Sequence, residues 1–99
     1  MIAVLGSFRF PPEALAEARP LMHAVIAATL AEPGCQAYSY AEDIAEPGLF
    51  RVTEVWDSRA ALSAHFETPH MRAWSEQRVG LGFFDRQIAL HEIGVAEKL

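Results

Sequence analysis

The stretch EVWDSRAALSAHFETPH, residues 54–70, contains a strand end, a helix and the start of a second helix. Glu54 and Trp56 alternate onto one side of extended chain, with the two-residue period of a strand. Asp57 and Ser58 are side chains that accept from the first free N–H groups of a helix. The helix they open places Leu62, His65 and Phe66 on one side. Thr68-Pro69 then restarts the chain as a second helical piece. Threonine caps it, and proline takes the first position, where its missing N–H loses no bond.

Working outward, residues 49–56 form a strand with Phe50, Val52, Glu54 and Trp56 on one face. A turn-rich connection over 43–48 joins it to a strand over 35–42 with Tyr38 and Tyr40 on one face, so the two read as a hairpin. Upstream lies a helix over about 12–31, with Leu15, Ala18, Met22, Val25, Ile26 and Thr29 as its buried stripe. Pro20 interrupts that helix, and a kink or a second helix beginning at Pro20 is expected. Residues 2–10 form the first strand, with Ile2, Val4, Phe8 and Phe10 on one face. Downstream of His70, the helical piece carries Met71, Trp74 and Arg78. Gly80 and Gly82 end it, and a last strand runs over 84–93.

The order is β-α-β-β-α-β, an α+β ferredoxin-like arrangement with an antiparallel sheet and its helices on one face, in one domain over residues 1–99. Strands one, three and four carry apolar side chains toward both faces, and helices cover only one. A second copy of the same sheet is the simplest cover for the other, so a homodimer built as an α/β barrel is expected.

Bulk composition narrows the function classes. The 99 residues are 52% hydrophobic and carry a net charge of −5, with 13 acids against 8 bases. The bases are scattered, so neither nucleic acid nor an anionic membrane surface is an expected partner. The longest apolar run, over 24–31, is far shorter than the roughly 20 residues that span a bilayer. Cys35 is the one cysteine, which excludes an internal disulfide and a thiolate zinc site. A cytoplasmic protein is expected. Gly80-Leu81-Gly82 follows a helix and lacks a third glycine, so no nucleotide cofactor is expected either.

Glu54 is the most informative polar residue. On a face shared with Phe50, Val52 and Trp56, a carboxylate is buried or lines a cavity. Burial without a partner would raise its pKa and make it a general base. The alternative is an ion pair with Arg9, Arg51 or Arg86. Free imidazole titrates near neutrality, so His65 and His70 are candidates for carrying protons, or they cap and pack helices. Five residues apart across a Thr-Pro break, they lack the spacing of a helical metal pair and show no third ligand, so no metal is expected. Trp56, Phe66, Trp74 and Phe8 are candidates for the walls of an aromatic pocket, Phe84 with them, although the same rings would equally make the core.

Two stretches resemble the antibiotic biosynthesis monooxygenase family. Glu32-Pro33-Gly34-Cys35 followed by Tyr38-Ser39-Tyr40 is similar to the family's lead into its second strand. Residues 54–70 resemble its most distinctive block, a strand ending in Glu-x-Trp, a capped helix and two histidines five apart. The resemblance implies a homodimer whose sheets meet as a barrel, each subunit keeping its own pocket. It also implies oxidation of a small aromatic, a quinol or polyphenol, by O2 with no cofactor. Glu54, His65 and His70 would then be catalytic, and Trp56, Phe66, Trp74 and Phe8 would bind substrate. The alternative is a barrel that binds a small molecule without catalysis. Haem degradation, also found in this superfamily, is disfavoured. Its asparagine, tryptophan and ligating histidine would fall at Gly6-Ser7, His65 and Trp74-Ser75, and none matches.

Overall fold

The alternating and helical patterns settle into four strands and three helices in the computed structural model, which describes all residues Met1–Leu99. In chain order these are β1 (Ile2–Arg9), α1 (Leu15–Leu30), β2 (Cys35–Glu42), β3 (Leu49–Trp56), α2 (Arg59–Phe66), α3 (Pro69–Gly80) and β4 (Phe84–Glu92). The strands pair antiparallel in the order β2-β3-β1-β4. This is the α+β ferredoxin-like arrangement that the element order predicts.

The caps act as the residue types require. The Ser58 side chain accepts from the Ala61 N–H at the start of α2, and the Thr68 side chain accepts from the Met71 N–H at the start of α3. α1 corrects one of the two expectations at Pro20, a second helix beginning there. A short 3-10 turn over Pro12–Ala14 leads into one helix that runs through Pro20 without a second start. Pro20 and Ala16, whose carbonyl would have accepted the missing N–H, are both exposed, so water can replace that bond. Ala18, Met22, Val25 and Thr29 meanwhile bury the opposite stripe.

Register decides which side chains meet beneath the helices. Glu54 lies opposite Tyr38 on β2 and Val4 on β1, and Val4 lies opposite Leu90 on β4. The next row is Tyr40, Val52, Gly6 and Ile88. α1 packs on β2 and against α3, while α2 packs on β3. The helices therefore cover the β2–β3 half of the sheet, and β4 is left largely exposed. One cluster gathers Phe8, Phe10, Phe50, Val52, Met71 and Trp74, and a second gathers Ile2, Val4, Tyr38, Trp56 and Leu62.

The face without helices is less apolar than the strand patterns suggest. By alternation it carries Ala3, Ser7, Ala37, Ser39, Thr53, Gln87 and Ala89 beside the larger Leu5 and Val55. Its large aliphatic Leu5 is 46% exposed.

Gly6 faces the backbone of β4 with no room for a side chain. A methyl group there would lie 2.0 Å from the Gln87 carbonyl oxygen and 2.6 Å from the Ile88 Cα, both backbone atoms that cannot rotate away. Gly6→Ala is expected to destabilise the fold by more than about 3 kcal/mol in urea unfolding, since the β1–β4 ladder must shift. Gly80, whose Cβ position has nothing within 4 Å, is the control. Gly80→Ala should change stability by less than about 1 kcal/mol.

Candidate functional site

Beneath α2 and α3, where the helices leave the β1–β4 half of the sheet, a cavity of about 200 Å³ opens, lined mainly by apolar side chains. β3 supplies Glu54 to it, α2 supplies His65 and Phe66, and β1 supplies Phe8. These four of the sequence-derived site residues therefore come together. The other three do not line it. Trp56 and Trp74 are 0% and 1% exposed and belong to the two core clusters, because their rings point into the packing between sheet and helices. His70, in the first turn of α3 after the Thr68-Pro69 break, bonds Glu32 instead of lining the cavity. Phe84, 50% exposed, is also outside.

Glu54 is buried with one hydrogen-bond donor, the Trp56 indole N–H, which reaches Oε1 at 2.9 Å. No arginine closes an ion pair on it. Burial pushes its pKa up, opposed by the Trp56 hydrogen bond and by the positive charge of Arg86, while the charge of Glu32 adds to the rise. Tyr38 and Tyr40 share a hydroxyl–hydroxyl hydrogen bond at the cavity wall. Burial drives both phenols up, Tyr40 to about 12, so both stay neutral and offer O–H groups.

His65 is 1% exposed, its ring 4.9 Å from that of Trp56 and 5.4 Å from that of Tyr38, centroid to centroid. Its Nδ1 lies 2.7 Å from Glu32 Oε2, and the same oxygen lies 2.7 Å from His70 Nε2. A carboxylate accepts, so each of these nitrogens carries the proton. A neutral His65 then keeps its lone pair on Nε2, which makes no hydrogen bond in the protein.

Glu32 corrects the expectation that the histidines lack a third ligand. The three donor atoms lie within 4.8 Å of one another, a set of residue types that could hold a divalent ion. The two 2.7 Å contacts are hydrogen bonds, however, and ligation at roughly 2.0–2.2 Å would require both to break. Glu32 stands 33 residues from His65 in sequence, and only folding of the turn after α1 against α2 brings them together.

Residues 1–77 match the family model described as antibiotic biosynthesis monooxygenase. The chain belongs to the antibiotic biosynthesis monooxygenase family. Its Glu32, Glu54, His65 and His70 all fall within the matched residues, whereas β4 lies beyond them. The chain is similar to the Synechocystis protein sll1783, at 34% identity over 99% of this chain and 67% of that protein. It is similar to the Mycobacterium tuberculosis protein Rv0793, which carries a monooxygenase name, at 38% identity over 70% of this chain and 67% of the relative. A 60-residue match at 37% identity relates it to Escherichia coli YgiN, which carries a quinol monooxygenase name. That match covers 52% of this chain and 58% of YgiN, so the two correspond over little more than half their lengths. Among solved structures, a Deinococcus radiodurans protein bearing the family name superposes with a TM-score of 0.92 at 30% identity, covering 100% of this chain and 98% of the other.

A raised carboxylate pKa carries a definite sign for this family member's stability. Below the ordinary carboxylate range, Glu54 is protonated in both folded and unfolded chains and contributes nothing. As pH rises through that range the unfolded chain ionises first, so stability falls until Glu54 in the folded state has ionised too. Glu54→Gln removes this loss. The variant is expected to unfold at higher urea than the native protein at pH 8, with the difference shrinking toward zero near pH 4.

Proposed function

We propose that the protein is an oxygenase acting on a small electron-rich aromatic, a quinol or polyphenol, with O2 and with no metal or flavin. The observation that carries this reading is a buried carboxylate of raised pKa, Glu54, facing a mostly apolar cavity of about 200 Å³. A cavity of ~150 Å³ already admits benzene, so one or two fused rings would fit. The monooxygenase names of Rv0793 and YgiN support the same reaction class.

The chemistry asks little of the protein. Glu54 takes a phenolic proton and the substrate becomes an electron-rich anion. That anion passes one electron to O2, and the two radicals combine at a ring carbon that bears hydrogen. Protonation gives a hydroperoxide, which loses water to leave a carbonyl. One oxygen atom enters the product and the other leaves as water. His65, with Nε2 free, is placed to accept a second substrate hydrogen bond. Phe8 and Phe66 would flank the ring and keep water from the intermediates. Trp56 acts by holding Glu54, and His70 by sharing Glu32 with His65.

Oxygen uptake with a panel of quinols and polyphenols tests this. Turnover above the uncatalysed rate is expected, with Glu54→Gln lowering kcat by about 10²- to 10⁴-fold, the usual contribution of a general base. Thermal shifts with the same compounds and no oxygen uptake would instead favour a binding protein without catalysis.

We also propose a homodimer in which Leu5, Val55 and the exposed β4 side of the sheet meet a second copy. Sedimentation equilibrium at micromolar concentration should give twice the 10.9 kDa mass of one chain. A folded species at the single-chain mass would remove the barrel.

A further inference from the structure

The arginines of this acidic chain divide sharply. Arg9 pairs with Glu46 and Asp85, Arg19 with Glu42, Arg51 with Asp43, Arg59 with Glu92 and Arg72 with Glu67. Arg78 and Arg86 have no carboxylate within 4.0 Å, and both line the cavity. In a chain with 13 acids and 8 bases, carboxylates are in excess, so two unpaired guanidiniums at one site are not explained by scarcity.

Their placement adds to this. Arg78 comes from the last turn of α3, is half-buried, and stacks with its guanidinium carbon 4.7 Å from the Phe83 ring centroid. That contact fixes the plane of the group without satisfying its five N–H donors. Arg86 reaches the same cavity from the exposed strand β4. Burial disfavours the charge of Arg78, and the positive charge of nearby Arg86 disfavours it further. Such an arrangement is unfavourable alone and becomes favourable when one anion lies between the pair. Glu54 shares the cavity but sits too far from either for an ion pair.

We propose that the cavity takes an aromatic ligand bearing a carboxylate, with the rings against Phe8 and Phe66 and the carboxylate on Arg78 and Arg86. This rests on the cavity being the ligand site, as the oxygenase reading also holds. It narrows the substrate class from aromatics in general to aromatic acids. A carboxylate at the arginine end would leave the far end of the rings to Glu54 and His65.

Redox-inert probes separate this from the oxygenase reading. Binding of 2-naphthoate and of its neutral isostere 2-naphthamide is measured calorimetrically to the full chain at low salt. The acid is expected to bind at least tenfold more tightly than the amide. Arg78→Gln and Arg86→Gln, each confirmed folded by circular dichroism, should bring the two affinities within about threefold, with the acid losing more affinity than the amide. Equal affinities in the native protein, or no binding of either probe at millimolar concentration, would overturn the inference. Equal affinities are what a carboxylate from a second copy already seated on the arginines would produce. Preference for the acid without turnover of any quinol would sink the oxygenase and leave the aromatic-acid site standing. Quinol turnover with no acid preference would do the reverse.

Discussion

The burial of one carboxylate, Glu54, organises the helix-covered face of the sheet. A charged group there is costly unless something holds it or neutralises it. The Trp56 indole N–H, two residues on along the same strand face, meets one oxygen at 2.9 Å. That bond needs Trp56 sealed in the core, and Trp56 is sealed because Leu62 and His65 of α2 close over it. Capping of α2 by Ser58 and restart of α3 at Thr68-Pro69 are therefore also conditions for the site. A carboxylate held by a single neutral donor keeps a raised pKa, unlike one clamped by arginine.

A second polar group lies just outside the first. Glu32, in the turn after α1, ties α2 and α3 together through His65 and His70. It joins three parts of the chain at one oxygen atom, and it orients the imidazole that reaches the cavity. The site thus has two carboxylates in different roles. Glu54 faces the cavity almost without partners, while Glu32 has two and faces the histidines. The family-matched residues contain both carboxylates, and the unpaired arginines come after them, on the end of α3 and on β4.

The element order, both helix caps and the alternation that put Glu54 with Trp56 were legible in the sequence because they are local. A cap acts over three residues, and a strand face repeats every two. Pro20 shows the limit of local reasoning. Its penalty is real, but α1 meets it on the solvent side and buries Ala18, Met22, Val25 and Thr29 on the other. The division of aromatic side chains was also beyond the sequence. Phe8 belongs to the core and also lines the cavity, whereas Trp56 and Trp74 belong to the core alone.

By itself the sequence determined the βαββαβ order, the antiparallel sheet with helices on one face, the family, and the candidacy of Glu54 and His65. These follow from short-range periodicity and from a contiguous motif. Tertiary structure alone decided that Glu32 meets His65 and His70 across more than thirty residues, and that Tyr38 stands beside Glu54 by strand register. It also decided that Arg78 and Arg86, one on a helix and one on an edge strand, line one cavity with no carboxylate within 4.0 Å of either. Those meetings depend on how strands align and how helices sit on them, and no spacing along a single segment encodes that.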